Sequence, residues 1–261
     1  MEGKCYRHGR YGKGDVDMEN KTVEDLIIKS LKTLAEFITN GRCADTEWKS
    51  SIIIPTYRDK VEIRYSEQEL KQIFLNLAEK NRLFYSVETP TKNVYSISKS
   101  KEPMLKSEDD KKPKDGFESA RFDVSLYDSN NSEKIFSHIE FKYANGKEKG
   151  IKKDFLKLAK EIHQGWNYFV HYIVLKSEEW KTISFPNLMG KYLESANYLG
   201  KELNIPDDNL EKTWIYLMYI KIEKGKEDYT ILPFNLKSLI ENYKEKQVFS
   251  AENLKWMKIL L

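Results

Sequence analysis

The chain has 261 residues, 44 Lys+Arg against 41 Asp+Glu, 40% hydrophobic and 13% aromatic content. That apolar share builds a substantial core and excludes wholesale disorder, and no apolar run approaches the ~18 residues of a membrane-spanning helix. The net charge of +3 excludes coating of nucleic acid by bulk charge, and two cysteines, Cys5 and Cys43, exclude a disulfide framework or a Cys-rich zinc site.

Residues 1–20 carry four glycines and no apolar periodicity, so they read as a flexible arm. The basic segment Met1–Gly14 has no apolar core after it, which speaks against a secretory signal and for a reducing cytoplasm. From Thr22, Leu26, Ile27, Leu31, Leu34, Ala35 and Ile38 recur at helical spacing until Asn40-Gly41. Ser51–Pro55 is a short β-branched run. Ser66 and Glu69 form a capping box for a second helix, whose apolar face is Leu70, Ile73, Phe74 and Leu77.

The period then drops from 3.6 to 2. Residues 83–88 and 93–98 read as two strands around Thr89-Pro90-Thr91, and the charged, Pro-containing segment 101–115 reads as a solvated loop. Residues 120–127 and 134–143 form an antiparallel hairpin around the polar turn Asp128–Ser132. A helix over 150–162 places Ile151, Phe155, Leu158 and Ile162 on one face. The apolar strand 168–175 follows, buried on both faces and parallel to 134–143 because the intervening helix is a crossover. Beyond it the pattern predicts a helix near 188–203, strands at 214–222 and 228–232, and a helical tail. The whole is an α/β chain with a mixed sheet.

The stretch that carries chemistry is 121–142. Side chains two apart on a strand share a face, so Glu140 and Lys142 project together while Ile139 and Phe141 project oppositely. The hairpin can set Asp123 beside Glu140. Two carboxylates and an ammonium are costly to hold together without a cation or a function, and a hard divalent cation such as Mg²⁺ suits oxygen donors. The alternative is a cross-strand ion pair on an exposed sheet face. Glu-x-Lys occurs six times in this chain, and only the copy at 140–142 has strand periodicity, an upstream strand aspartate and a downstream crossover helix.

Asp123, then Glu140-Phe141-Lys142 on a hairpin, then a helix opening with Lys152-Lys153-Asp154 and an apolar strand, resembles the PD-(D/E)xK nuclease superfamily over residues 66–176. The resemblance implies a restriction-endonuclease-like mixed β-sheet core flanked by helices. Residues 1–65 would be an N-terminal arm and helical extension, and 177–261 a C-terminal α+β elaboration. It implies that Asp123 and Glu140 bind Mg²⁺, or Mn²⁺ in its place, with the main-chain carbonyl of Phe141, and that Lys142 orients the attacking water. Phe122 stands where the family name has proline. Glu67, Glu69 and Glu88 are further acids that could join the site; capping already explains Glu69.

The implied activity is hydrolysis of phosphodiester bonds, in DNA ahead of RNA as the alternative, in a restriction, repair, phage or mobile-element setting; a homodimer is compatible with it. The alternative is a non-catalytic nucleic-acid-binding or assembly module on the same fold. Arg121, Lys149, Lys152 and Lys153 are the candidates for phosphate contact, within a segment, 147–160, that holds six lysines against two acids. That helix face could equally be merely solvated. His138 shares the Glu140 face, where it either meets a phosphate or is a half-buried polar residue. His163 and His171 lack partners at zinc-ligand spacing. Gln164 and Tyr168 match a motif of one nuclease branch, but they straddle a helix end and a strand.

Overall fold

The computed structural model describes residues 13–40, 64–96, 104–105, 117–128, 131–144, 146–175, 185–223 and 226–244. The run Ser51–Pro55, both cysteines, most of 101–115 and the tail after Lys244 lie outside them.

Helix α1 (Lys13–Asn40) buries Leu26, Ile27, Leu31, Leu34, Ala35 and Ile38, the stripe read from its spacing. It begins earlier than that stripe. Residues 13–20, expected within a flexible arm, are helical, because propagation from a formed turn needs no apolar contact of its own. Helix α2 (Glu67–Lys80) opens on the expected capping box. The Ser66 amide and hydroxyl donate to Glu69 Oε2 at 2.8 and 2.7 Å.

Strand β1 (Tyr85–Ser96) corrects the reading of two strands around Thr89-Pro90-Thr91. It is one strand with a register shift between Pro90 and Val94. Strand β2 (Met104–Leu105) pairs only with Tyr95 and Ser96, so among the described residues Pro90 lies on an edge, where its missing N–H breaks no ladder. The bulge is held from outside: Glu161 accepts the amides of Lys92 and Asn93, each at 2.9 Å.

Strands β3 (Phe117–Asp128) and β4 (Asn131–Tyr143) are antiparallel, and they extend into both ends of the expected Asp128–Ser132 turn. Helix α3 (Glu148–Lys160) crosses over to β5 (Asn167–Leu175), which is parallel to β4 as predicted. Then follow α4 (Phe185–Asn197), a π-helical turn at Tyr198–Glu202, and α5 (Asp207–Glu211), which periodicity did not announce. Strand β6 (Thr213–Glu223) is again parallel to β5, β7 (Lys226–Asn235) returns antiparallel, and α6 (Leu236–Lys244) follows.

The result is an α/β architecture with one mixed sheet of order β2-β1-β3-β4-β5-β6-β7. Each face buries a core. On one, α1 and α2 cover Ile139, Phe141, Val170 and Tyr172. On the other, α3, α4 and α6 cover Phe122, Phe169 and Leu217. Strand β5 feeds both, as its nearly unbroken apolar sequence requires. No helix of the described residues is long and apolar enough to cross a membrane.

Candidate functional site

Phe122 and Val124 are two apart on β3, and a regular strand would set them on one face. They lie in opposite cores, Phe122 under α3 and Val124 under α2. The strand therefore turns over at Asp123. Its neighbour on β1 is bent as well: Glu88, between the pairs Val87↔Val124 and Thr89↔Phe122, has φ 53°. A left-handed non-glycine residue costs on the order of 1–2 kcal/mol, so surrounding contacts must hold it. The β3–β4 ladder reaches Val124↔Ile139, and from there β4 runs on beside β5. Asp123 thus sits in a fork.

Its carboxylate does the work of the missing ladder. Oδ2 accepts the Phe141 amide at 2.8 Å, and Oδ1 lies 3.2 Å from Lys71 Nζ of α2. Lys71 also reaches Glu88 Oε1 at 2.9 Å. Burial works against this ammonium, but the hydrogen bond to Glu88 and the charge of Asp123 raise its pKa overall.

Glu140 and Lys142 do project to one face, toward α3. Glu140 meets Lys157 Nζ at 2.5 Å, and Lys142 Nζ meets Asp154 Oδ2 at 3.0 Å. Lys157 also lies 3.3 Å from Asp154 Oδ1 and donates to the Arg121 carbonyl at 2.9 Å. The chain Lys142–Asp154–Lys157–Glu140 alternates in sign along its length. Burial pushes Glu140 well above the usual carboxylate range; the charges of Asp154 and Asp123 push the same way, and Lys157 offsets only part. Burial opposes the charge on Lys142 and Lys157, yet the acids around them raise both pKa values, so both are ammonium ions. Glu67, on the first turn of α2, is raised by burial and lies in the field of Lys142, Asp123 and Asp154.

Asp123, Glu140 and Lys142 are therefore brought to one region, but they do not meet at a point. The two acids influence each other electrostatically, and each holds its own lysine. Nor is this an exposed cross-strand pair: Glu140 is 5% exposed and its partner comes from a helix. Phe141 contributes its amide. Of the further acids, Glu69 is spent on the cap, Glu88 pairs with Lys71, and Glu67 faces the cluster. Nothing in the sequence assigns a site role to Lys71 or Lys157, and Asp154 is marked only as part of the opening of the crossover helix. Asp154 does fall on the apolar stripe of its helix, three residues after Ile151 and beside Phe155, and that was the available signal.

The four phosphate-contact candidates part company. Arg121 and Lys149 are exposed. Lys153 is half-buried; burial and the nearby Lys157 lower its pKa. Lys152 is buried against the Tyr198 ring, 4.5 Å from its centre, and pairs with Glu148 at 3.4 Å. His138 is a core residue, not a surface contact. It stacks on Phe122 at 3.8 Å, shares a hydrogen bond with Ser125 at 2.7 Å, and lies 3.0 Å from His163. Burial pushes it down to about 2, so it is neutral. His171 is also buried and neutral, lowered to about 4, between the Tyr192 hydroxyl and the Ala144 carbonyl. Tyr168 is fully buried.

Carboxylate oxygens are the donor type that a hard divalent cation takes. The acids of the cluster are all carboxylates, and their mutual repulsion is what a cation would relieve. Ammonium groups of Lys71 and Lys157 face Asp123, Glu140 and Asp154, and among the described residues no three His, Cys, Asp or Glu side chains stand as a metal-ligand group. No protein-family model, curated protein or solved structure matches the chain.

Proposed function

We propose that this chain is a divalent-cation-dependent nuclease of restriction-endonuclease-like fold, a DNA endonuclease. The observation that carries the reading is the fork at Asp123, whose carboxylate accepts the Phe141 amide and lies in the electrostatic field of the buried Glu140, with the charged Lys142 two residues further along β4. The order α2–β1–β2–β3–β4–α3–β5, in which β1, β3 and β4 form an antiparallel meander and α3 a parallel crossover, supports it. In this reading Asp123 and Glu140 hold Mg²⁺ or Mn²⁺, which when bound lowers the pKa of a water and screens charge on the phosphate. Lys142, kept protonated by Asp154 and Glu67, orients that water and faces the scissile phosphate. Lys157 compensates Glu140 until the cation is bound. Arg121 and Lys149, on exposed positions, contact the DNA backbone.

One observation favours a second reading. Asp123, Glu140 and Asp154 each have a lysine within 3.3 Å, which is what a structural ion network on a non-catalytic nucleic-acid-binding module requires. Supercoiled plasmid and RNA, incubated with Mg²⁺ or EDTA beside Asp123→Ala and Lys142→Ala, separate the two. Cleavage of DNA that needs Mg²⁺ and falls by several powers of ten in both variants supports the nuclease. Cleavage that survives both substitutions removes this site. DNA binding without Mg²⁺-dependent cleavage supports the module.

A further inference from the structure

The chain turns sharply as it leaves β4. Ala144, directly after Tyr143, has φ 60°, a left-handed backbone that a residue with a Cβ adopts only under constraint. Hydrogen bonds supply the constraint. The Ala144 amide donates to the Tyr172 carbonyl at 3.1 Å, and the Ala144 carbonyl accepts the Gly146 amide at 2.9 Å. The same carbonyl also meets Nε2 of His171 at 2.6 Å.

His171 is fully buried, and both of its ring nitrogens are engaged. It is the partner of Lys142 in the parallel β4–β5 ladder, so the two side chains leave the sheet on one face. Burial keeps the imidazole neutral, with a single ring proton. A carbonyl only accepts, so that proton is on Nε2, aimed at Ala144. Nδ1 must then accept, and its donor is the hydroxyl of Tyr192, a buried residue of α4. The hydroxyl therefore selects the tautomer that holds Ala144.

Helix α4 grips the same connection a second time: Lys191 Nζ donates to the Gly146 carbonyl at 3.1 Å. Gly146 in turn borders the stem of Lys142. A Cβ placed on it would stand 3.8 Å from Lys142 Cε and 3.7 Å from Ile151, ordinary van der Waals contact. The segment that His171 and Lys191 pin is thus a wall for the Lys142 side chain, whose ammonium reaches Asp154 at 3.0 Å.

We propose that His171 is a positioning residue of the fork: by fixing Ala144, and with it Gly146, it holds the Lys142 stem and so the place of its ammonium. What that ammonium does to a substrate rests on the nuclease reading; how it is held does not.

His171→Leu removes the donor to Ala144. His171→Gln keeps an N–H at about the place of Nε2. Tyr192→Phe keeps the ring in the core and removes only the hydroxyl that selects the tautomer. In protein carrying isotope-labelled lysine, the nuclear magnetic resonance of Lys142 Nζ, assigned by its loss in Lys142→Arg, reports whether that ammonium is held and needs no cleavage. It should be resolved in wild type and His171→Gln and averaged out in His171→Leu and Tyr192→Phe, while the Lys157 signal persists in all four. On supercoiled plasmid with Mg²⁺, kcat should fall about a hundredfold in His171→Leu and about tenfold in Tyr192→Phe with KM unchanged, and His171→Gln should recover most of the loss. If His171→Leu does not fold, Tyr192→Phe decides. A Lys142 signal that is averaged already in wild type, is indifferent to the folded variants, or is lost together with that of Lys157 overturns the proposal, as does a loss confined to KM. Wild type that cleaves nothing removes the nuclease reading, and the lysine signals alone then decide whether His171 holds Lys142.

Discussion

Glu140 ties function to pH at the scale of one residue. Its folded pKa lies above the ordinary carboxylate value, chiefly through burial. The fold therefore favours its protonated form. That stabilisation is complete below the ordinary range near 4.5 and is lost as pH rises through the raised value. A cation needs the ionised form, so cation binding must release a proton and strengthen with pH. The thermal-unfolding midpoint should rise on adding Mg²⁺, by more as the pH is raised, and the increment should vanish in Glu140→Gln. An increment that is flat with pH, or survives the substitution, places the cation elsewhere. The buried histidines act in the opposite sense. His171 is lowered from 6.5 to about 4, so the unfolded chain takes up a proton that the fold refuses. Stability is complete above about pH 6.5 and falls as pH drops toward 4, at about 1.4 kcal/mol per pH unit for one such group. Urea midpoints between about pH 7 and about pH 5 should show this, and His171→Asn should reduce the slope by about one proton.

At the scale of the element, α3 acts as the carrier of countercharge. It presents Asp154 and Lys157 three residues apart toward β4. Replacing Lys157 by Met removes the countercharge of Glu140, which then takes up a proton, so the loss of stability should grow as the pH is raised. Glu140→Gln added to Lys157→Met should recover part of that loss, and a double-mutant cycle read from urea unfolding should give a coupling of about 2 kcal/mol or more. Additive losses would mean that the two groups do not depend on each other. This arrangement also marks how far the sequence could be read. Strand periodicity correctly set Glu140 and Lys142 on one face, because that needs only local geometry. What they touch was not legible, since Lys157 and Asp154 come from a helix whose azimuth is decided by packing. The flip of β3 at Asp123 was hidden for a related reason: Phe122 and Val124 look like one apolar alternation, and only the two separate cores distinguish them. Likewise Thr89-Pro90-Thr91 has the composition of a turn. It became a bulge because Glu161, far off in sequence, satisfies the released amides.

For the molecule as a whole, the sheet needs cover on both faces, and α1 provides much of one. By its sequence, the segment 1–65 is an arm and helical extension, separate from the core. Yet Val23, Leu26, Ile27, Leu31, Leu34, Ala35 and Ile38 share a single apolar cluster with Phe74 of α2 and Phe141 and Tyr172 of the sheet. Side chains of this kind contribute about 1.5–3 kcal/mol each when fully buried, so α1 represents on the order of 10 kcal/mol. That equals the whole net stability of an ordinary domain, about 5–15 kcal/mol. A chain lacking residues 1–40 should therefore lose its cooperative unfolding transition, bind a hydrophobic dye and give no near-ultraviolet dichroism. The fork would go with it, because Lys71 and Glu67 reach Asp123 and Lys142 from α2, and α2 packs on α1. Supplying residues 13–40 as a separate peptide should restore the transition in part, since the lost energy is contact and not connectivity. A truncated chain that unfolds cooperatively and keeps the wild-type near-ultraviolet spectrum would show that the apolar stripe of α1 is dispensable, and that the sheet closes its exposed face by other means.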